Sequence, residues 1–199
     1  MKAIRFIAVL LVLIFSDKVY PQSRPNLDLI SRILEHSVTK ADSILGKTGI
    51  VDLSVTIPQT LEILRPKIIE IFVNHGYTVK GAGGDAGISV EYSLTSARVD
   101  YKNAFSDGLF GGTLLEREVT VNSSILAKGS DKTIHPFQFK ETISDTVRLN
   151  DVAMLESPAL PFTQSPIPAL PFLSNLWEPI IVTGTLIVTV ILLFTVRSK

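Results

Sequence analysis

From Ile180 to Val196 the chain carries no charged side chain, and the run is framed by Trp177-Glu178-Pro179 before it and Arg197-Ser198-Lys199 after it. A helix rises about 1.5 Å per residue, so this run with Pro179 and Trp177 reaches most of the roughly 30 Å of a bilayer's hydrocarbon layer. The expectation is a single transmembrane helix over 179–196 with a cytoplasmic tail at 197–199, because basic flanks such as Arg197 and Lys199 stay on the cytoplasmic side. Trp177, Ile180, Val196, Arg197 and Lys199 mark the limits of that anchor. The domain that precedes it is then expected to lie outside the cytoplasm, held at the lipid bilayer by this segment.

The other end points the same way. Lys2 and Arg5 precede the apolar stretch Phe6 to Phe15, which stops at Ser16-Asp17. Its roughly 15 Å of helix is too short to span, and a basic start followed by a short apolar core is the pattern of a secretory signal peptide. Residues 1–23 are read as that leader, with cleavage near Gln22 or Ser23.

Outside residues 1–23 and 179–199 there are 14 Lys and Arg against 18 Asp and Glu. A mildly acidic domain lacks the basic patch that nucleic acid or anionic lipid would require. Cysteine is absent, which excludes disulfides and thiolate metal sites, so a single hydrophobic core has to hold the domain together. An exported domain without cysteine fits a bacterial envelope better than an animal secretory pathway, and the expected location is an inner membrane, with the domain facing the periplasm.

Residues 153–178 are rich in proline and nearly free of charge, and they contain a duplicated word: Pro158-Ala159-Leu160-Pro161-Phe162 returns as Pro168-Ala169-Leu170-Pro171-Phe172. Proline fixes φ and steers the preceding residue away from helix, so the segment is expected to be an extended, semi-rigid stalk. Leu160, Phe162, Leu170 and Phe172 are either docking points for an aromatic-lined groove or plain spacer residues.

The domain, 24–152, is expected to be α+β. Asn26 or Asp28 would cap a helix reaching Leu45, with Leu29, Ile30, Ile33, Leu34, Val38 and Ala41 at three- and four-residue steps. Val51, Leu53, Val55 and Ile57 alternate as a strand that Pro58 stops. A second helix follows from Thr60 to His75, with Pro66 kinking it or marking its first turn and Gly76 ending it. Tyr77 to Lys80 is a short strand. Ile88 to Tyr101 changes phase near Ser96, which signals a bulge. Thr113 to Ala127 and Thr133 to Val147 form long hairpin strands, with Arg117 on the same face as Leu115, Val119, Val121 and Ile125. The expectation is two helices packed on a mainly antiparallel sheet.

The strand, helix and Gly76-Tyr77-Thr78-Val79 turn spanning Val51 to Val79 resemble the small α+β domains of bacterial envelope assembly proteins. The resemblance carries no diagnostic motif and implies no residue roles.

Candidates for chemistry are few. Ala41 to Thr48 satisfies a relaxed phosphate-loop pattern, but a helix precedes it and a strand follows, the reverse of what phosphate binding needs. Gly81 to Gly87 and Ser106 to Gly112 read as glycine-rich loops; the second carries Phe105, Leu109 and Phe110, apolar residues positioned to meet a partner. His36, His75 and His135 are too scattered for a metal site, and no nucleophile elbow is present. No catalytic residue, cofactor or metal is expected. The sequence therefore reads as a non-enzymatic, single-pass envelope protein that binds or positions another envelope protein. Two alternatives stand beside it: a carrier with an apolar-ligand cavity between helices and sheet, and a hydrolase gathering several of Asp100, Asp107, Glu116 and His135 in one concave site.

Overall fold

The computed structural model describes residues 23–45, 49–81, 88–107, 112–129, 133–170 and 177–196. Helix α1 (Asn26–Leu45) buries Ile30, Ile33, Leu34, Val38 and Ala41 along one stripe, as their spacing predicts. Each of the four larger side chains removed from water stabilises the fold by roughly 1.5–3 kcal/mol, and the Ala41 methyl by less. Asn26 does not serve as an exposed cap: its side chain is fully buried, and the Pro25 carbonyl accepts from the Asp28 and Leu29 amides.

Strand β1 (Gly49–Thr56) is followed by a 3-10 turn (Gln59–Leu64) and helix α2 (Arg65–Asn74). Pro66 lies in the first turn of α2, where its missing N–H costs no intrahelical bond, so the proline starts the α-helix and does not kink it. Gly76, at φ 90°, lies between that helix and strand β2 (Tyr77–Lys80). Strands β3 (Ile88–Ser106), β4 (Thr113–Lys128) and β5 (Ile134–Arg148) complete a five-stranded sheet in the order β2-β1-β3-β4-β5.

The sheet is mixed. β1 runs parallel to both β2 and β3, while β3, β4 and β5 are antiparallel neighbours. This corrects the expectation of a mainly antiparallel sheet, and the reason is local: a helix intervenes between β1 and β2, and a strand-helix-strand crossover returns the chain in parallel. The register of β3 against β4 shifts between Leu94 and Ser96, leaving Thr95 as the extra residue. Tyr92 and Leu94 before the shift, and Ala97 and Val99 after it, are all buried. A second shift, between Tyr101 and Ala104, was not expected.

Both helices contribute to one core with the facing side of the sheet. Phe72 of α2 sits at its centre, edge-on to Tyr92 of β3 at 6.0 Å and tilted against Tyr77 at 5.9 Å. Ile30, Ile33, Ile68, Phe72 and Tyr92 are all fully buried, so side chains fill the space between helices and sheet.

After β5 the chain does not leave the domain. A 3-10 turn (Leu149–Asp151), helix α3 (Val152–Leu155) and a further turn (Pro161–Thr163) fold back, burying Val152, Leu155 and Thr163. The first Pro-Ala-Leu-Pro-Phe word therefore belongs to the globular unit and is not an extended stalk.

Helix α4 (Trp177–Val196) forms where the apolar run predicts a helix. Among the described residues, however, no helix is long and apolar enough to cross a membrane, so the expected transmembrane helix is not supported.

Candidate functional site

The most unusual group inside the fold is Arg117, which is fully buried on the core face of β4. A buried guanidinium is costly unless charge and hydrogen bonds surround it. Its Nε donates to Asp145 Oδ1 on β5 at 2.8 Å, and Nη2 donates to Asp145 Oδ2. Nη1 donates to the Arg24 carbonyl at 2.8 Å and to Asn26 Oδ1 at 2.7 Å. Asn26 in turn donates from Nδ2 to the Thr163 carbonyl at 2.8 Å and to the Tyr101 hydroxyl at 3.2 Å. This junction joins the chain entering the domain, the hairpin, and the chain after α3. Burial pushes the Tyr101 phenol above its usual range, which keeps it neutral beside Asn26.

A second polar cluster lies where α1 meets the end of α2. Asp42 Oδ2 is 2.9 Å from His75 Nδ1, and Asp42 Oδ1 accepts from the Tyr77 hydroxyl at 2.8 Å. Burial, and then the Asp42 carboxylate, raise the Tyr77 pKa. His36 Nδ1 pairs similarly with Glu141 Oε1 at 3.0 Å, linking α1 to β5. Each histidine thus holds two elements together.

Grooves are present on the surface formed by the described residues, and two of them bear on the site. The larger, about 660 Å³, runs between α1 and α2 with the turn leading into it; Leu27, Leu64 and Ile71 line it, Arg32 and Lys67 face Asp28 and Glu35 in a rim of mixed charge, and Leu160 contributes from the folded-back segment. The smaller, about 440 Å³, lies beside α1 at the β4–β5 margin and includes Leu114, Ile143, Asp145 and Arg148. No sheet residue lines the larger groove. It is a feature of the helical surface, unlike the internal cavity that an apolar-ligand carrier would need.

Of the residues expected in a hydrolase site, His135 is far from Glu116. Glu116 pairs in register with Thr146, and His135 with Ala127, which places them about 37 Å apart along the strands at about 3.4 Å per residue. Glu116 accepts a hydrogen bond from Asn103 at 2.6 Å, and Asp100 is ion-paired with Arg98 at 3.1 Å. Glu118 holds Lys102 at 2.6 Å and raises that lysine's pKa. Among the described residues no group of three or more His, Cys, Asp or Glu side chains could hold a metal ion.

The residues expected to touch a partner are dispersed. Phe105 near the end of β3 and Leu170 after the folded-back segment are each 42% exposed. Leu160 lines the larger groove, while Phe162 packs against the core. Ile180 is exposed on α4. Leu109, Phe110, Phe172, Arg197 and Lys199 lie outside the described residues, as do the side chains of Trp177 and Val196, the leader at residues 1–22, and the stretches 46–48 and 82–87.

No family model matches the chain, and no curated protein matches it. Among solved structures it is similar to rare lipoprotein B from Shewanella oneidensis, at 13% identity and a TM-score of 0.29 over 49% of this chain and 68% of that one. A minor lipoprotein from Acinetobacter baumannii gives 12% and 0.30 over 52% and 67%. A neuraminyllactose-binding hemagglutinin homologue from Helicobacter pylori gives 9% and 0.34 over 68% and 76%. At such identities and scores the likeness establishes neither a family nor an activity.

Proposed function

We propose that this chain is an exported, non-enzymatic envelope protein, held at a membrane by its apolar C-terminal segment, whose α+β domain binds or positions another envelope protein. The observation that carries this reading is β5. It forms one edge of the sheet over Ile134–Arg148, and among the described residues only β4 pairs with it. An edge strand presents a row of backbone donors and acceptors that another chain can complete by strand addition. The leader pattern at residues 1–23 and the exposed apolar surface of α4, from Ile180 to Phe194, support placement at an envelope membrane, with the domain in the periplasm.

Site-specific photocrosslinking in the full chain tests the reading. A photoreactive side chain placed at Gln138 or Thr142 on β5 is expected to give a protein adduct of one defined mass, whereas the same group at Ser54 on the inner strand β1 gives none. Equal adducts at all three positions, or adducts with lipid alone, would remove the proposal.

A further inference from the structure

The folded-back segment is held in two ways, and the two belong to different residues. Leu160 and Phe162 supply the apolar grip, one lining the groove beside Leu27 and Leu64 and the other packed against the core. Ser157 and Thr163 supply a polar latch. The Thr163 hydroxyl accepts from the Ser157 amide at 3.0 Å and donates to the Leu160 carbonyl at 2.8 Å, while the Thr163 carbonyl accepts from Asn26. The grip lies within the word Pro-Ala-Leu-Pro-Phe, and the latch lies on either side of it. That word recurs ten residues later at 168–172 and is followed by Leu173, which lacks the hydroxyl that Thr163 supplies. Leu170 of this second copy is exposed, unlike its counterpart Leu160.

We infer that the surface covered by Leu160 and Phe162 is a binding site for the Pro-Ala-Leu-Pro-Phe sequence as such, and that residues 168–172 of the same chain are its second occupant. Both copies carry prolines at the same two positions, so both present leucine and phenylalanine on the same restricted backbone. A short tether holds the second copy at high effective concentration near that surface, and the longer loop adds little closure entropy. The first copy predominates because only it brings the latch. Exchange of copies moves the point where the chain leaves the domain by ten residues, about 31 Å of extended chain at about 3.1 Å per residue.

The absence of cysteine makes the exchange measurable by disulfide trapping in the full chain in detergent. Ile63 is exposed and lines the same groove as Leu160, so Ile63→Cys with Leu160→Cys reports the first copy, and Ile63→Cys with Leu170→Cys reports the second. Adding Thr163→Ala to the second pair is expected to speed its oxidation about tenfold, the population change that corresponds to losing one or two net hydrogen bonds. Adding Phe172→Ala as well should return the rate to its starting value. A reciprocal variant leaves the packed segment untouched: Leu173→Thr gives the second copy the hydroxyl of the latch and should also accelerate trapping. The proposal is overturned if neither latch variant changes the rate, or if the acceleration survives Phe172→Ala, which would reduce it to random collision of a tethered chain.

Discussion

Arg117 and Asp145 face each other across β4 and β5 at directly paired positions, with the guanidinium fully buried and the carboxylate 37% exposed. The arrangement is asymmetric. Asp145 can be hydrated without its partner, but Arg117 depends on Asp145, Asn26 and the Arg24 carbonyl for everything that replaces water.

Asp145→Ala is therefore expected to destabilise the domain by about 3 kcal/mol, the low end for removing one partner of a buried ion pair. The double change Arg117→Met with Asp145→Leu should cost less, since no buried charge is then left unpaired. Urea unfolding midpoints at constant slope decide between them. If the single variant unfolds at the wild-type midpoint, the junction does not hold the hairpin to α1.

Alkaline pH should weaken the fold. Burial raises the pKa of Tyr77, Tyr92 and Tyr101 above the ordinary value of 10.0. The native state therefore keeps phenolic protons that the unfolded chain loses, so stability is full below pH 10 and falls as pH rises beyond it. Tyr77→Phe should make that fall shallower. Chemical unfolding at several pH values between 8 and 11 checks the slope, and a flat profile contradicts the assignment.

Gly76 adopts φ 90°, where any side chain brings Cβ against the following carbonyl. Gly76→Ala is expected to cost about 1–2 kcal/mol, and Gly76→Asn less, because asparagine tolerates this region better. Thermal midpoints of the two variants give the order. Equal midpoints for glycine and alanine would show that the turn relaxes.

The segment after β5 should behave as part of the domain. Leu155→Ala is expected to lose roughly 3 kcal/mol, as for other buried leucines, whereas deleting residues 167–170 should leave the unfolding midpoint unchanged. Limited proteolysis should spare 156–163 and cut beyond Ser165. Cleavage between Glu156 and Phe162 under native conditions would return this stretch to the stalk.

Much of the fold was legible because its elements follow single periods. The stripe from Leu29 to Ala41 and the alternation of Val51, Leu53 and Val55 each place one face inward, and the phase change after Leu94 locates the bulge to within a residue. The parallel pairing of β1 was legible too, in the strand-helix-strand order from Val51 to Val79, but alternation along the long strands says nothing about direction and drew the reading toward antiparallel. Arg117 stood out as a charge on an apolar face. Its partner Asn26, and Thr163 to which Asn26 bonds in turn, did not, since one sits in a cap position and the other in a proline-rich segment, and only tertiary packing brings them together. The same packing overrode the expectation of a stalk, because proline content restrains local geometry without deciding whether Leu160 and Phe162 find a surface to cover.

The Thr163 carbonyl bonded to Asn26 sets how this protein would bear a load. Tension applied through α4 arrives along the residues after Thr163 and meets that hydrogen bond before it reaches β5. Asn26 passes the force through Arg117 into β4 near its start, so the load enters the hairpin directly and does not travel back along β5. The folded-back turn acts as a strain relief, and the edge strand stays intact while the turn is drawn out first.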